Sequence, residues 1–206
     1  MGANKGVIRT TVTVVIMVVL VLGYYAYVSN RKAVELQNTK VSEADRLILE
    51  DIEGNYPKKP RDVVKLHVRM LQQIYASELS DDKLSKMVDQ MRLLYDDRLL
   101  NNQGNTKEEQ ISSILAELDS HDGKKYKITN YEIDEESQTT YSEVDGEDVA
   151  NLYATYTILD DKTTYKQIYL YVLVKDKDGH FKILGWQRDN SKESDLSNSS
   201  TTKKKD

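Results

Sequence analysis

The stretch 149-VANLYATYTIL-159, read with its neighbour 164-TYKQIYLYVLVK-175, decides the fold. Both have a period of two, as in a strand whose successive side chains point to opposite faces. In the first, Ala150, Leu152, Ala154, Tyr156 and Ile158 share a face, and Asn151, Tyr153, Thr155 and Thr157 take the other. In the second, Ile168, Leu170, Val172 and Val174 lie opposite Tyr165, Gln167, Tyr169 and Tyr171. Asp160-Asp161-Lys162 is turn chemistry, so the two strands form a hairpin. The spacing predicts that both aliphatic faces lie under a covering layer, leaving a polar, tyrosine-rich face outward. A slip of one residue would reverse that assignment.

Working outward, Tyr126 to Ile133, Thr139 to Val144 and Phe181 to Arg188 also read as strands, with turns at Asp145-Gly146 and Asp176-Lys177-Asp178-Gly179. Before residue 126 the period becomes helical. Ser42-Glu43-Ala44-Asp45 has the layout of a capped helix start ahead of Leu47, Ile48 and Ile52, and Asn55-Tyr56-Pro57 breaks that helix. Pro60 opens a helix to about Ala76, with Val63, Leu66, Met70, Leu71 and Ile74 on one face. Ser80-Asp81-Asp82 starts a third helix whose inner face runs through Leu84, Met87, Val88, Met91, Leu94, Tyr95 and Leu99. Thr106-Lys107-Glu108-Glu109 is a capping box before Ile111, Ile114, Leu115 and Leu118, and Gly123 ends that helix. About four helices followed by consecutive hairpins imply an α+β domain, helices on one face of an antiparallel sheet, over residues 42–189. Residues 190–206 are Ser, Asn, Thr and Lys with little to bury, and read as a disordered polar tail.

The amino terminus has a different chemistry. Thr10 to Val28, TTVTVVIMVVLVLGYYAYV, contains no charge. At 1.5 Å per residue a helix of this length reaches roughly 30 Å, a bilayer's hydrocarbon thickness. Tyr24, Tyr25 and Tyr27 cluster at one end ahead of Arg31 and Lys32, as an interfacial aromatic belt does. Residues 1–29 therefore read as a tail plus a transmembrane anchor in contact with lipid through residues 10–28, and 30–41 as a tether. A cleaved signal peptide is the competing reading, but Tyr24-Tyr25-Ala26-Tyr27 lacks the small residues of a cleavage site. Lys5 and Arg9 before the span nearly balance Arg31 and Lys32 after it. The short tail favours tail inside and domain outside the cytoplasm.

Composition removes several functions. The formal net charge of −5 argues against nucleic acid as a partner, which calls for a basic stripe. With no cysteine, thiol catalysis, disulfides and thiolate metal sites are excluded. No phosphate loop, nucleophile elbow or paired-histidine helix occurs. His121 and His180 lie in predicted loops, and no His or carboxylate stands at ligand spacing from any histidine, so neither a metal nor another cofactor is implied. Asp81-Asp82, Asp96-Asp97, Glu108-Glu109 and Asp160-Asp161 sit at helix starts or turns, where they complement helix dipoles.

Two candidate sites remain. Eight of the 14 tyrosines fall between Tyr126 and Tyr171, so the strands are where this residue concentrates. Tyr153, Tyr165, Tyr169 and Tyr171 are either strand formers on a half-wet face or a docking surface for a protein partner or a second copy. His67, four residues after Val63, lies near an apolar helix stripe. It and Tyr156 are the candidates for a pocket, against the reading of a packed histidine without a catalytic partner.

The ending Asp178-Gly179-His180-Phe181-Lys182-Ile183-Leu184-Gly185-Trp186 resembles the "DGxWKIxxW" ending of the nuclear transport factor two-like (cystatin-like) superfamily, with Phe181 at the first aromatic position. The helices-then-strands order over residues 42–189 is similar too. Asn55-Tyr56-Pro57, Pro60-Arg61-Asp62-Val63-Val64-Lys65-Leu66 and Val149 to Tyr156 are also similar to an uncharacterised membrane-anchored family of Gram-positive, clostridia-like bacteria. The resemblance implies a cone formed by a curved sheet and helices. Superfamily enzymes such as ketosteroid isomerases and polyketide cyclases place Asp, His or Tyr inside the cone. Only His67 and Tyr156 are available here, with no acid at a recognisable position. The expectation is a non-enzymatic, extracytoplasmic binding domain. The alternatives are a scaffold subunit of an envelope complex of the type IV secretion or conjugation kind, and a small-molecule enzyme using the cone.

Overall fold

The computed structural model describes residues 41–76, 79–120 and 126–193; the proposed anchor at 10–28 and most of the tether lie outside the described residues. A compact unit begins at Glu43. Helices α1 (Glu43–Ile48), α2 (Pro60–Ala76), α3 (Asp81–Arg92), α4 (Asp97–Leu100) and α5 (Lys107–Ser120) precede strands β1 (Lys127–Ile133), β2 (Thr140–Val144), β3 (Glu147–Asp160), β4 (Thr163–Lys175) and β5 (Phe181–Arg188). The class is α+β, with helices over one face of a curved antiparallel five-stranded sheet ordered β1-β3-β4-β5. β2 joins β3 beside β1, the two short strands sharing one long partner. Register shifts between Ile128 and Asn130 and between Val172 and Leu173 mark irregularities, which bend strands locally. Among the described residues no helix is long and apolar enough to cross a membrane.

Local chemistry explains most of these elements. The Thr106 box is real: the Glu109 carboxylate accepts from Thr106 N at 2.9 Å and Thr106 Oγ1 accepts from Glu109 N at 3.2 Å. Ser80 occupies the cap position of α3, but its side chain makes no capping bond. Asp145 and Gly146 have φ of 52° and 84°, the left-handed pair that a two-residue hairpin needs. α2 buries Val63, Val64, Leu66, Val68, Met70 and Ile74 and packs mainly on β1 and β5. Leu47, Met87, Met91, Leu152 and Ile183 join it in one core cluster.

Two expectations are corrected. First, the third helix does not continue to Leu99. It ends at Arg92, Tyr95 forms a parallel bridge with Ile183, and the Asp96 carboxylate caps α4 by accepting from Arg98 N at 3.0 Å. Second, β4 is turned over relative to the face expected of it. Asp160 pairs with Thr163 across a two-residue loop, so Leu152 stands beside Tyr171, Ala154 beside Tyr169 and Ala150 beside Leu173. The tyrosine face of β4 therefore lies under the helices. Ile168, Leu170, Val172 and Val174 are on the opposite face, outside the main cluster. The chain also continues past β5 into a helical turn at 190–193, where the sequence reading placed the start of a polar tail. Glu193 ties that turn down by accepting from Ile168 N at 3.0 Å and pairing with Arg188 at 2.7 Å. Residues 194–206 lie outside the described residues.

Candidate functional site

Between α2, α5 and the concave face of the sheet lies a cavity of about 300 Å³. Its apolar wall includes Leu71, Met91, Ile114, Ile128 and Ile158, and its aromatic wall includes Tyr75, Tyr126, Tyr156, Tyr169 and Trp186. Gln110, Gln167, Asn105, Ser113 and Glu117 supply polar atoms, and no lysine or arginine is among the lining residues. Tyr169 stacks on Tyr156 with ring centres 4.8 Å apart, and its hydroxyl donates to Gln167 Oε1 at 2.9 Å. The Tyr75 hydroxyl donates to the Glu117 carboxylate across the cavity wall, joining α2 to α5. A mostly apolar concavity with a few convergent polar groups is the usual form of a small-molecule site.

Behind this wall runs a buried polar chain. Arg92 Nη1 donates to Gln110 Oε1 at 3.3 Å and to the Asn105 carbonyl at 2.9 Å. Gln110 Nε2 donates to the Tyr95 hydroxyl at 3.1 Å. Tyr95 Oη is 3.1 Å from His67 Nε2, and His67 Nδ1 is 3.0 Å from Tyr171 Oη. Tyr171 Oη is in turn 2.5 Å from the hydroxyl of Tyr156, a residue that lines the cavity. Trp186 covers the imidazole with ring centres 4.8 Å apart. His67 and Tyr171 are wholly buried. A buried polar group is tolerated only when hydrogen-bonded, and both His67 ring nitrogens are.

Burial sets the titration of these groups. It holds the His67 pKa down to about 3, so the ring is neutral at physiological pH. Burial also pushes the Tyr95, Tyr156 and Tyr171 hydroxyls well above the ordinary tyrosine range. Around neutral pH the chain therefore holds its protons rather than exchanging them.

The candidates from sequence separate cleanly. Tyr156 and Tyr169 line the cavity, and His67 does not reach it. Tyr171 is fully enclosed, and Tyr165 flanks the same inner face opposite Ile158. Only Tyr153 lies on the outer face, with Lys192 Nζ 3.4 Å from its ring centre. The four tyrosines do not form one docking surface, because β4 turns three of them inward. Tyr75, Gln110, Glu117 and Trp186 were not identified as site residues. Gln110 carried a signal: it stands one helical turn before Ile114, a polar residue on an apolar stripe.

Comparison with known proteins adds one result. The family described as a domain of unknown function, DUF6715, matches residues 1–186. The chain belongs to the DUF6715 family. No curated protein and no solved structure matches it. The DUF6715 match takes in both the apolar stretch at 10–28 and nearly all of the sheet, including Trp186.

Proposed function

We propose that this DUF6715 chain is a single-pass membrane protein of a Gram-positive bacterium. In this reading its nuclear transport factor two-like body, residues 42–189, stands outside the cytoplasm and binds a small, mostly apolar molecule without converting it. The carrying observation is the cavity of about 300 Å³ under α5, walled by aromatic rings and backed by a polar chain whose members are paired with one another. Helices over the concave face of a curved sheet support the cone assignment. The uncharged length of 10–28 and its tyrosine border support the anchor. A histidine with both nitrogens engaged and a pKa near 3 gives little support to general-base chemistry.

The protein carries its own reporter, since the single tryptophan, Trp186, lines the cavity. Titrating the full-length chain with the neutral probe N-phenyl-1-naphthylamine should change Trp186 emission saturably, and Ile114→Phe, which narrows the cavity, should weaken the response. Emission unmoved up to the probe's solubility limit would overturn the reading. The anchor is tested separately, by whether the full chain stays with the membrane pellet after an alkaline carbonate wash. A second reading, a scaffold subunit of an envelope complex, draws on the outer face, where Leu170, Val172 and Leu184 border a shallow groove. Surface-charge variants there that abolish co-purification of an envelope partner while leaving probe binding intact would favour it.

A further inference from the structure

The buried chain has a direction, and the direction specifies what the cavity accepts. Three contacts link Tyr95, His67, Tyr171 and Tyr156. These four side chains bring four hydrogens, one on each hydroxyl and one on the neutral imidazole. Three links consume three hydrogens, so one O–H or N–H is left over. Gln110 settles where it goes. Its carbonyl oxygen is held by Arg92, which turns its amide nitrogen toward Tyr95 as a donor. Tyr95 Oη thus accepts at one side and uses its own hydrogen on His67 Nε2. That selects the tautomer with hydrogen on Nδ1, which donates to Tyr171, and Tyr171 donates to Tyr156. The opposite sense would aim two donors at Tyr95 and strand its hydrogen in the core, which costs more than an unmade bond at a cavity wall. The unspent hydrogen is therefore on Tyr156 Oη. That side chain is 4% exposed and lines the cavity, and among the described residues Tyr171 is its one hydroxyl partner.

We infer that Tyr156 presents a hydrogen-bond donor to the cavity, polarised through Arg92, Gln110, Tyr95, His67 and Tyr171, and that the ligand is a neutral, largely apolar molecule placing a carbonyl oxygen against it. An O–H whose oxygen already accepts a bond is a better donor. Neutrality follows from the wall: it is mostly apolar, where any charge is costly to bury, and it has no cationic side chain to pair with a carboxylate. This inference rests on the cavity-binding reading above and adds the chemistry of the ligand. Tyr95, His67 and Tyr171 act as positioning residues, because none of them lines the cavity.

The experiment compares 2-acetylnaphthalene, its carbonyl-free shape analogue 2-ethylnaphthalene, and 2-naphthoate on the full-length chain, by Trp186 emission and by the infrared band of a ¹³C-labelled ketone. The wild type should bind the ketone about fivefold tighter than the ethyl compound, with naphthoate weakest and the carbonyl band at lower frequency than in alkane solvent. Tyr156→Phe should equalise the first two affinities and return the band toward its alkane position. Tyr95→Phe should move the band part of the way while leaving ethylnaphthalene affinity unchanged, an effect that a merely structural role would not give. The wild-type comparison stands even if a variant fails to fold. Equal wild-type affinities with an unshifted band, or naphthoate binding tightest, would overturn this inference and leave the cavity reading standing. Failure of all three compounds to bind would overturn both.

Discussion

The two faces of the β3–β4 hairpin invert what hydropathy suggests. The inner face carries Tyr156, Tyr169 and Tyr171, four hydroxyl-bearing or amide-bearing positions with Gln167, and it is the side the helices cover. The outer face carries Ile168, Leu170, Val172 and Val174, of which Leu170 and Val172 remain half-exposed. Tyrosine brings more apolar area than valine, and its hydroxyl is acceptable inside wherever a partner waits. Here His67 supplies that partner from α2. The contrast shows that a buried polar chain and the strands that feed it are specified together.

The largest way to break this contrast is His67→Leu. It leaves the Tyr95 and Tyr171 hydroxyls without their shared partner, and we expect a loss of about 3 kcal/mol in urea unfolding. Next comes pH. The folded pKa of His67 is depressed to about 3, so its neutral form is favoured by folding. The associated stability is present above the unfolded value of about 6.5 and is lost as pH falls toward 3, since the unfolded chain then binds the extra proton. From about pH 6.5 to about pH 5 this one group should remove about 2 kcal/mol. His67→Gln, measured over the same range, should lack that increment; identical slopes in both proteins would refute the assignment. A smaller effect sharpens the comparison between strands: Tyr171→Phe should cost about 1.5 kcal/mol, whereas Tyr153→Phe on the outer face should stay within about 0.5 kcal/mol. Smallest is Leu170→Thr, expected within about 0.5 kcal/mol by thermal unfolding. A loss near that of a core position would mean the outer face is covered.

Much of the fold was readable because each element has a local signature. Pro60 and Ala76 bound α2 in both the sequence reading and the structure, and β5 likewise spans Phe181–Arg188. The error in β4 came from choosing its face by hydropathy when the turn already decided it. With Ile158 inward and Leu159 paired with Thr164, Tyr165 has to face inward, and Tyr169 and Tyr171 follow at the same period. Register is a stronger constraint than side-chain preference, because it is set by backbone bonds along the whole hairpin. The site was less accessible. His67 and Tyr156 stand out singly, but Tyr171, which joins them, lies on the face that hydropathy assigns outward, and the other side of His67 is met by Tyr95, which the periodicity places on a helix face. In the structure it is drawn out of α3 to meet Ile183. Long-range closure of that kind leaves no periodic trace in one sequence. The cavity itself depends on α5 standing off the sheet, held in part by Tyr75 and Glu117, and no local rule predicts that distance.

The bridge from Tyr95 to Ile183 has a further consequence for how the protein behaves in a crowd. Ile183 N donates to the Leu94 carbonyl at 2.8 Å and Asp96 N donates to the Ile183 carbonyl at 2.9 Å, so the first half of β5 offers no bare backbone to a stranger. The opposite border is shared by the short β2 and by β1, whose irregular register and charged Lys127 and Glu132 discourage a flat match. Fibril-like growth by sheet extension is thus hindered by a seam along the first half of β5 and by poor fit along β1.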